Sequence, residues 1–393
     1  MDNNKLKVLD GMDAYLPYVD GVVNCMHNYC MHSYQKVDLT AIAPRYQKDY
    51  VETVPYTVKR CKSIKLNALK VQYCQATRDK KFTKEILSKR YDIVHVHSPF
   101  NMAKFMIKIA KKQGIPAVAT FHTNMRPIVR QQVKSKWLTE LLVKHIGKIY
   151  NKYDEVFVCS PLVAEQCRSF GCKGKISYLP FGTDLPRCDN KEELAERANA
   201  KFNIGADELV FLYVGRIEKL KRIDMILDSL KILKDKGIKF RFIASGKGTD
   251  YDKIVKYKQK SGFTDDEVDF AGFLPREDLP LLNARADLLL FPSLYDNFAL
   301  VKVEAAAYGT PGVFIEGSCT GYGVTDGVNG FLSKDTVKDF ADKIEQAVSD
   351  RNFLKEVGRN ASRDLYVSWE ECTNQYIQRL KEIVERYNNG NKK

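Results

Sequence analysis

Two acidic residues, Asp296 and Glu304, stand eight positions apart where an apolar run gives way to a helical segment. The run 288–291 predicts the end of a buried parallel strand, and the chain from about Asn297 has helical composition. Backbone N–H groups at such a helix N-terminus favour a diphosphate through hydrogen bonding and the helix dipole. Carboxylates only accept hydrogen bonds and therefore suit pairs of hydroxyls. The spacing predicts a nucleotide-sugar site in which one acid reaches the sugar and the other reaches the ribose.

A second candidate site follows the apolar run 209–214, which breaks at Gly215 and leads into a helical segment. This order of strand, glycine and helix is typical of a phosphate site. Arg216 and Lys221 can place two cations there against a leaving nucleoside diphosphate, and Arg can bind it through two hydrogen bonds. Solvated charges after a strand are the simpler interpretation of this motif alone. Its position ahead of the acidic pair favours the phosphate site.

Together these segments resemble the retaining glycosyltransferases of family 4, whose signature is E-x7-E, and the resemblance extends over most of the chain. It implies an α/β structure of the GT-B type, with two Rossmann-like domains facing a central cleft. It also implies that Asp296 contacts the transferred sugar, Glu304 contacts the ribose, and Arg216 and Lys221 hold the donor diphosphate. The family usually has Glu at the position of Asp296 and Gly at that of Ala299. The segment expected to bind phosphate and sugar comprises Asn297, Phe298, Ala299, Leu300 and Val301.

Further candidates lie at the ends of two other strand-like runs in the second half. Gly246 ends the run 240–245, and Phe273 and Leu274 follow the run 268–272. The resemblance makes Phe273 and Leu274 candidates for contact with the base. The G-x-G pattern that begins at Gly246 is by itself weak evidence for a ligand site.

Two patterns in the sequence resemble metal sites. Asp250 and Asp252 form D-x-D, the metal motif of another glycosyltransferase class, but they fall in a polar segment beyond a strand. His95 and His97 point to one face of a strand. No third ligand is evident for them in the sequence, which favours packing at the strand end. We therefore predict a protein without metal or cofactor.

The 393 residues suggest two domains of ordinary size. Strand-like runs alternate with helical stretches, which predicts parallel sheets covered by helices. The strand-like runs of the first half are 7–9, 92–97, 117–122, 155–160 and 176–180. We predict an N-terminal Rossmann-like acceptor domain at 1–195, a donor domain at 196–366, and a C-terminal helix at 367–393 that returns to the first domain.

The first domain contributes candidate ligand contacts at two places. Asp20 and Gly21 end the loop after the first strand, where glycine allows close approach to the backbone; an ordinary turn is the alternative. His122 ends the run 117–121 and therefore lies at the carboxyl edge of a strand, where ligands bind in open α/β sheets. The resemblance implies that His122 lies beside the reacting sugar, and that Asp20 and Gly21 replace the family's usual Gly-Gly.

The excess of positive charge, +14 overall, falls within the first 190 residues, which predicts an anionic partner distinct from the donor. The segment 126–152 holds seven Lys or Arg and one acid among apolar residues, as expected of a helix on an anionic membrane. A core-facing helix with a solvated basic face is the alternative. Nucleic acid is disfavoured because no reader motif accompanies the charge. The predicted membrane-binding residues are Arg126, Arg130, Lys134, Lys136, Trp137, Lys144 and Lys148.

The sequence also bears on the compartment. No apolar run reaches the ~18 residues of a transmembrane span, and the polar start does not resemble a signal peptide. The ten cysteines include no CxxC pair, so we expect reduced, mostly buried thiols. These features predict a cytoplasmic protein bound peripherally to the inner face of the cell membrane.

The combined interpretation is a retaining, metal-independent hexosyltransferase that uses a nucleotide-sugar, with UDP-glucose favoured. The expected acceptor is a membrane-associated lipid such as diacylglycerol or a glycolipid. One alternative is a soluble or peripheral transferase of capsule or polysaccharide synthesis. Two others are a catalytically inactive binding protein of the same fold and a sugar-nucleotide epimerase on the same architecture.

Overall fold

The structure is a computed structural model that describes residues 5–46, 51–66 and 71–390. It divides into two compact units. Unit 1 comprises Met1–Phe181 and Trp369–Lys393, and unit 2 comprises Gly182–Ser368.

The strands are β1 (Lys7–Gly11), β2 (Asp38–Pro44), β3 (Thr57–Cys61), β4 (Ser63–Leu66), β5 (Val71–Cys74), β6 (Ile93–Val96), β7 (Ala117–Thr120), β8 (Glu155–Val158), β9 (Lys175–Tyr178), β10 (Val210–Val214), β11 (Arg241–Ser245), β12 (Val268–Gly272), β13 (Leu288–Leu290), β14 (Gly312–Ile315) and β15 (Phe331–Ser333). The helices are α1 (Gly21–Ser33), α2 (Lys80–Leu87), α3 (Asn101–Gln113), α4 (Met125–Val133), α5 (Lys136–Tyr150), α6 (Pro161–Ser169), α7 (Lys191–Phe202), α8 (Ile223–Asp235), α9 (Tyr251–Lys260), α10 (Leu279–Arg285), α11 (Leu300–Ala307), α12 (Val337–Val348), α13 (Arg351–Asp364) and α14 (Trp369–Gly390).

Each unit contains one parallel sheet with the same opening strand order. The sheet of unit 1 has the order β3-β2-β1-β6-β7-β8-β9, and that of unit 2 has the order β12-β11-β10-β13-β14-β15. Both orders reverse direction beside the first strand, which places topological switch points between β1 and β6 and between β10 and β13. The predicted α/β class with two Rossmann-like domains is confirmed.

The central strands of both sheets are buried because they are largely apolar. In unit 2, Phe211, Leu212 and Leu289 are inaccessible to solvent, and in unit 1 Leu9 and Val94 are equally buried. Parallel strands with both faces covered have this composition, whereas a half-exposed strand would alternate. The two cores therefore hold the carboxyl ends of the strands, and the loops that follow them, in fixed positions.

The chain enters unit 2 earlier than the predicted boundary at residue 195. Segment 182–190 belongs to unit 2 because its backbone is bonded there. The Thr183 N–H donates to Val367 O at 3.0 Å, and the Cys188 N–H donates to Ala307 O at 2.8 Å.

Helix α14 belongs to unit 1. The ring of Tyr376 packs on Tyr29 of α1, with centroids 4.6 Å apart. Arg379 and Arg386 lie 2.6 Å and 2.8 Å from the carboxylate of the buried Glu155. Although burial alone would raise the pKa of Glu155, its hydrogen bonds from Ser177 and these arginines lower it.

The basic segment forms two helices rather than the single helix predicted over 126–152. Helix α4 ends at Val133, its C-cap residue Lys134 has a left-handed φ of +52°, and Ser135 caps the start of α5. Among the described residues, no helix combines the length and apolar character of a bilayer span. No disulfide joins any of the ten cysteines there, and most of them are buried.

Candidate functional site

The loops after β10 and β11 contact each other closely at the carboxyl edge of the unit 2 sheet. The Gly215 N–H donates to Ser245 O at 2.9 Å, and the Gly246 N–H donates to Gly272 O at 2.7 Å. Gly215 and Gly246 have φ values of +152° and +144°, which favour glycine. A Cβ on Gly246 would lie 1.9 Å from Gly215 O. The packing of these two loops therefore requires Gly246, and the backbone conformation favours glycine at Gly215.

The structure brings together two of the predicted site residues, Lys221 and Asp296. Lys221 Nζ lies 2.5 Å from Asp296 Oδ1, and the ammonium stands over the Phe291 ring at 5.8 Å from its centroid. Within the described residues, the buried atom Asp296 Oδ2 has no hydrogen-bond partner. The pair thus combines a neutralised charge with one buried acceptor oxygen that no described protein group satisfies.

Arg216 lies on the same loop but faces solvent. Its Nη1 is 3.0 Å from Glu218 Oε1, and its side chain is mostly exposed. The Tyr213 hydroxyl donates to Arg216 O at 2.8 Å, which fixes the backbone of the loop. Arg216 therefore has a positioned backbone and a side chain open to an anionic ligand.

The segment between the two acids is extended before it becomes helical. Helix α11 begins at Leu300, later than the predicted start near Asn297. Asn297 and Ala299 are buried, whereas Phe298, Leu300 and Val301 are half-buried. Ala299 has φ −99° and ψ 92°, a conformation open to any residue. The departure from the family's glycine therefore introduces no backbone strain.

Glu304 lies in the second turn of α11. Burial raises its pKa to about 7, while the nearby Arg276 acts in the opposite direction. Arg276 itself forms an ion pair with Asp184. Because this pKa is close to neutral pH, Glu304 is partly protonated there. Hydrogen bonds donated by ligand hydroxyls would favour its ionised form.

The remaining donor-site candidates follow β12. Phe273 is 83% exposed and Leu274 is half-buried. Because the strands are parallel, these residues share the carboxyl edge of the sheet with Gly215, Gly246 and Asp296. An exposed aromatic ring at this edge can stack on a planar base.

The D-x-D pattern has a structural role. Asp250 Oδ2 accepts from the Lys219 N–H at 3.0 Å, and Asp250 Oδ1 pairs with Lys253 at 2.8 Å. Its pKa is lowered chiefly by the hydrogen bond from Lys253. Asp252 is an exposed residue in the first turn of α9. Asp250 therefore holds the loop that carries Lys221.

Sequence reasoning missed Lys302, a buried lysine on α11. Its Nζ donates to Thr320 O at 2.9 Å and to Tyr322 O at 2.6 Å. The Thr320 hydroxyl in turn donates to Ser293 O at 2.9 Å, close to the start of the acidic loop. The available signal was a lysine in a helix whose other residues, apart from Glu304, are apolar. Its contacts fasten α11 to the loop after β14.

In unit 1, Asp20 caps α1. Its Oδ1 accepts from the Val22 N–H at 2.9 Å and from the Val23 N–H at 2.8 Å. A Cβ on Gly21 would meet no atom within 4 Å. The local structure is thus a capped helix N-terminus with open space at the glycine.

A cluster of imidazoles around one carboxylate lies at the switch point of unit 1. Asp10 Oδ1 is 3.0 Å from His97 Nε2, and Asp10 Oδ2 is 3.5 Å from His95 Nδ1. His97 Nδ1 and His122 Nε2 are 2.8 Å apart. The expectation that His95 and His97 lack a third potential metal ligand was wrong, because the parallel pairing of β1 with β6 brings Asp10 beside them.

One face of α5 is exposed and the other is packed on unit 1. Trp137, Leu141, Lys144 and Lys148 follow helical spacing along the exposed face, with Trp137 75% and Leu141 51% exposed. Lys134 and Lys136, at the start of this helix, are also exposed. On the opposite face, a Cβ on Gly147 would lie 1.9 Å from Phe170 O. The helix therefore presents both apolar and basic side chains to solvent.

Two of the predicted membrane-binding residues face the protein instead. Arg126 Nε lies 2.8 Å from Glu140 Oε1, and its guanidinium stands 4.9 Å from the centroid of the Phe170 ring. Arg130 is half-buried, with a buried Nη1. These contacts leave the lysines and Trp137 as the candidate membrane surface.

Comparisons with known proteins cover both units. The model of Glycosyltransferase Family 4 matches residues 19–187, and that of Glycosyl transferases group 1 matches residues 195–364. The alpha-monoglucosyldiacylglycerol synthase of Acholeplasma laidlawii is 26% identical over 343 residues, which is 81% of this chain and 83% of that protein. The Streptococcus pneumoniae protein of the same name is 24% identical over 306 residues, or 76% and 68% of the two chains.

Solved structures show the same fold. The structure of Anabaena HepE in complex with UDP has a TM-score of 0.77 and 17% identity, and it covers 96% of this chain and 100% of that chain. The HepE complex with UDP-glucose has a TM-score of 0.75, 16% identity and the same coverage.

Proposed function

The chain belongs to the family 4 glycosyltransferases with the GT-B fold, and we propose that it transfers a hexose, with retention, from UDP-glucose to a membrane lipid. Diacylglycerol or a glycolipid is the favoured acceptor. The observation that carries the donor proposal is the Lys221–Asp296 pair, whose second carboxylate oxygen has no partner among the described residues. It stands beside two close-packed glycine loops at a switch point, where ligands bind in such sheets.

Each donor residue has a proposed role. Asp296 accepts from a sugar hydroxyl, and Glu304 accepts from the ribose. Arg216 and Lys221 bind the diphosphate, together with backbone N–H groups at the start of α11. Phe273 and Leu274 contact the base. Ala299 keeps the extended backbone before the helix, so the family's phosphate contacts remain available at this position.

The proposed reaction breaks the bond between the sugar and the donor phosphate and forms a bond from the sugar to the acceptor oxygen. UDP leaves with the bonding electrons, and the acceptor proton passes to the leaving phosphate. Arg216 and Lys221 stabilise the developing negative charge, as preorganised donors do in an oxyanion hole. No side chain is assigned as a nucleophile, and no metal is assigned to the diphosphate.

The lipid acceptor is supported by the exposed face of α5. Trp137 and Leu141 supply apolar area, and the neighbouring lysines supply attraction to anionic headgroups. The relatives named as monoglucosyldiacylglycerol synthases support the same acceptor class. We accordingly place the protein on the inner face of the cell membrane as a peripheral protein.

The test is turnover of UDP-glucose, compared with UDP-galactose and GDP-mannose, in the presence of anionic vesicles with and without diacylglycerol. Nucleotide release and labelled glycolipid are followed separately. We expect both signals with UDP-glucose, and only with diacylglycerol present. Rapid nucleotide release with a saccharide acceptor, without glycolipid formation, would mean that the acceptor is a saccharide and not a lipid. Absence of turnover with all three donors would contradict the proposed activity.

A further inference from the structure

We propose that Asp10 and His97 are positioning residues for His122, fixing its proton on Nε2 so that Nδ1 accepts a hydrogen bond from a substrate hydroxyl. The inference deepens the proposed function and rests on it for the identity of the substrate. The arrangement of protons within the cluster stands on the geometry of unit 1 alone.

The three residues come from adjacent strands of the unit 1 sheet. Asp10 lies near the carboxyl end of β1, His97 directly follows β6, and His122 follows β7. Asp10 and His97 are only 1% and 2% exposed, whereas His122 is half-buried. The series therefore leads from a buried carboxylate to an imidazole that solvent can reach, at the edge where open α/β sheets bind ligands.

The distances define a directed series of contacts. Asp10 Oδ1 lies 3.0 Å from His97 Nε2, and His97 Nδ1 lies 2.8 Å from His122 Nε2. The rings of His97 and His122 are inclined by only 22°, with centroids 5.1 Å apart. Since two of their nitrogens are much closer than the centroids, the rings meet edge to edge, as a ring-to-ring hydrogen bond requires.

The positions of the protons follow from what each group can do. Asp10 Oδ1 and His97 Nε2 lie 3.0 Å apart but outside hydrogen-bond geometry. A nitrogen lone pair directed at a carboxylate oxygen at this distance would be repelled, so His97 carries its proton on Nε2, on the side of Asp10. In neutral His97 this leaves a lone pair on Nδ1, so His122 Nε2 must donate to it. Neutral His122 then has a lone pair on Nδ1. Among the described residues, no hydrogen bond to that Nδ1 is present.

His95 is a separate branch of the cluster. Its Nδ1 lies 2.9 Å from the Tyr376 hydroxyl and its Nε2 lies 2.8 Å from the Thr120 hydroxyl. Both nitrogens are thus occupied by protein groups. Asp10, His95 and His97 could hold a metal ion, but these hydrogen bonds already satisfy His95, which favours the proton series over metal ligation.

The electrostatics favour neutral forms of His95 and His122 and an ionised Asp10. Burial lowers the pKa of His95 to about 4, and burial with His97 nearby holds the pKa of His122 well below its usual range. Burial alone would raise the pKa of Asp10, but His97 and His95 hold it below its usual range.

The first test is ¹⁵N NMR of the full chain labelled at histidine, at about pH 8.5, some two units above the ordinary histidine pKa. The six histidines can be assigned by single substitutions. We expect proton-bearing Nε2 and unprotonated Nδ1 for His122. The opposite tautomer would overturn the proposal, and so would stoichiometric zinc in the purified protein, because His97 Nε2 would then be a metal ligand. This measurement needs no substrate and is therefore independent of the proposed transferase activity.

The second test is designed to reverse which nitrogens donate and which accept between Asp10, His97 and His122. Asp10→Asn removes the negative charge and can turn its amide nitrogen to His97 Nε2, in which case the proton of His97 moves to Nδ1 and that of His122 moves from Nε2 to Nδ1. We expect this inversion by NMR and a fall in kcat of at least about tenfold, the value of one lost hydrogen bond. KM for the donor should change little. Because the Asn oxygen can also face His97 and keep the original tautomers, an unchanged His122 tautomer together with an unchanged kcat in this variant would overturn the proposal.

Matched variants separate positioning from damage to the core. His97→Asn keeps an acceptor near His122 Nε2 and should retain more activity than His97→Leu. His95→Gln removes a buried imidazole of the same cluster that does not contact His122, so it should lower stability without changing the His122 tautomer. Equal losses of kcat in all of these variants at equal stability would indicate a merely structural cluster.

Discussion

Lys221 Nζ lies 2.5 Å from Asp296 Oδ1, although the two residues come from loops after different strands, β10 and β13. In the absence of a donor the ammonium balances the carboxylate. In the proposed complex the diphosphate shares Lys221, and the second oxygen of Asp296 accepts from the sugar. The contact therefore holds both side chains in place before the donor arrives.

Lys221→Ala should lower kcat by about 100-fold, because it removes one preorganised cation from the leaving diphosphate. The matched control is Lys219→Ala, an exposed lysine on the same turn whose backbone N–H, and not its side chain, contacts Asp250. Steady-state turnover of the preferred donor measures both. A Lys221→Ala enzyme as active as the control would refute the phosphate role.

Glu304 predicts a pH-dependent affinity for UDP. Hydroxyls of the ribose donate to the ionised carboxylate, so binding favours the deprotonated form of a group whose pKa is raised to about 7 by burial. The affinity should therefore rise by about tenfold or more between about pH 5 and about pH 8. Calorimetric titration at each pH measures it. Glu304→Gln controls for protonation of UDP itself, and parallel pH profiles for the two proteins would contradict the ribose role.

The same group makes a prediction for stability without ligand. A raised carboxyl pKa stabilises the folded state below the ordinary value and loses that contribution as the pH rises through about 7. Glu304→Gln should thus unfold at a higher temperature than the wild type at about pH 8.5, and the difference should vanish near pH ~4. Thermal melts of the two unliganded proteins measure the difference in unfolding temperature at each pH. If that difference is the same at all pH values, the effect comes from packing and not from ionisation of Glu304.

Local patterns predicted the strands and acids of the donor site, because each strand there is a mostly apolar run that is followed by glycine or proline. The contact of Lys221 with Asp296 could not be read in the same way, since it depends on β10 pairing with β13. Asp10 was missed beside His95 and His97 for the same reason. The raised pKa of Glu304 depends on tertiary burial, which the spacing of the two acids does not reveal.

For the basic segment 126–152, the composition predicted an exposed basic surface but not the local structure. Its composition predicted a membrane-facing helix, and the exposed Trp137 keeps that prediction open. The break at Lys134 and the ion pair between Arg126 and Glu140 were not predicted, because both depend on how α4 and α5 pack together.

Replacing Lys134, Lys136, Lys144 and Lys148 by Gln should weaken binding to anionic vesicles by about 100-fold or more, since each lysine near such a surface contributes about 1 kcal/mol. UDP binding should be unchanged. The control replaces four exposed lysines of α3, at positions 104, 108, 111 and 112, with the same loss of charge. Vesicle sedimentation compares the two. Equal losses would mean that net charge, and not the α5 surface, governs attachment.

Trp137→Ala tests the apolar part of that surface. The side chain is 75% exposed, so its removal should leave the stability of unit 1 almost unchanged. Vesicle binding should fall by about tenfold, and the loss should persist at high salt, where the contribution of the lysines is screened. If the variant binds vesicles as well as the wild type at high salt, Trp137 does not contribute and the attachment is electrostatic only.

Gly246→Ala should disrupt the donor site through the backbone. Its Cβ would lie 1.9 Å from Gly215 O, so the loops after β10 and β11 must separate. We expect a loss of about 2 kcal/mol or more in the free energy of unfolding, together with weaker UDP binding. Gly262→Ala is the matched control, because Gly262 has a positive φ of +77° but open space around its Cβ position. That variant should lose only about 1 kcal/mol, the cost of the left-handed backbone alone. Equal losses in urea denaturation, with UDP affinity retained in both, would show that close packing of the two loops is not needed for the site.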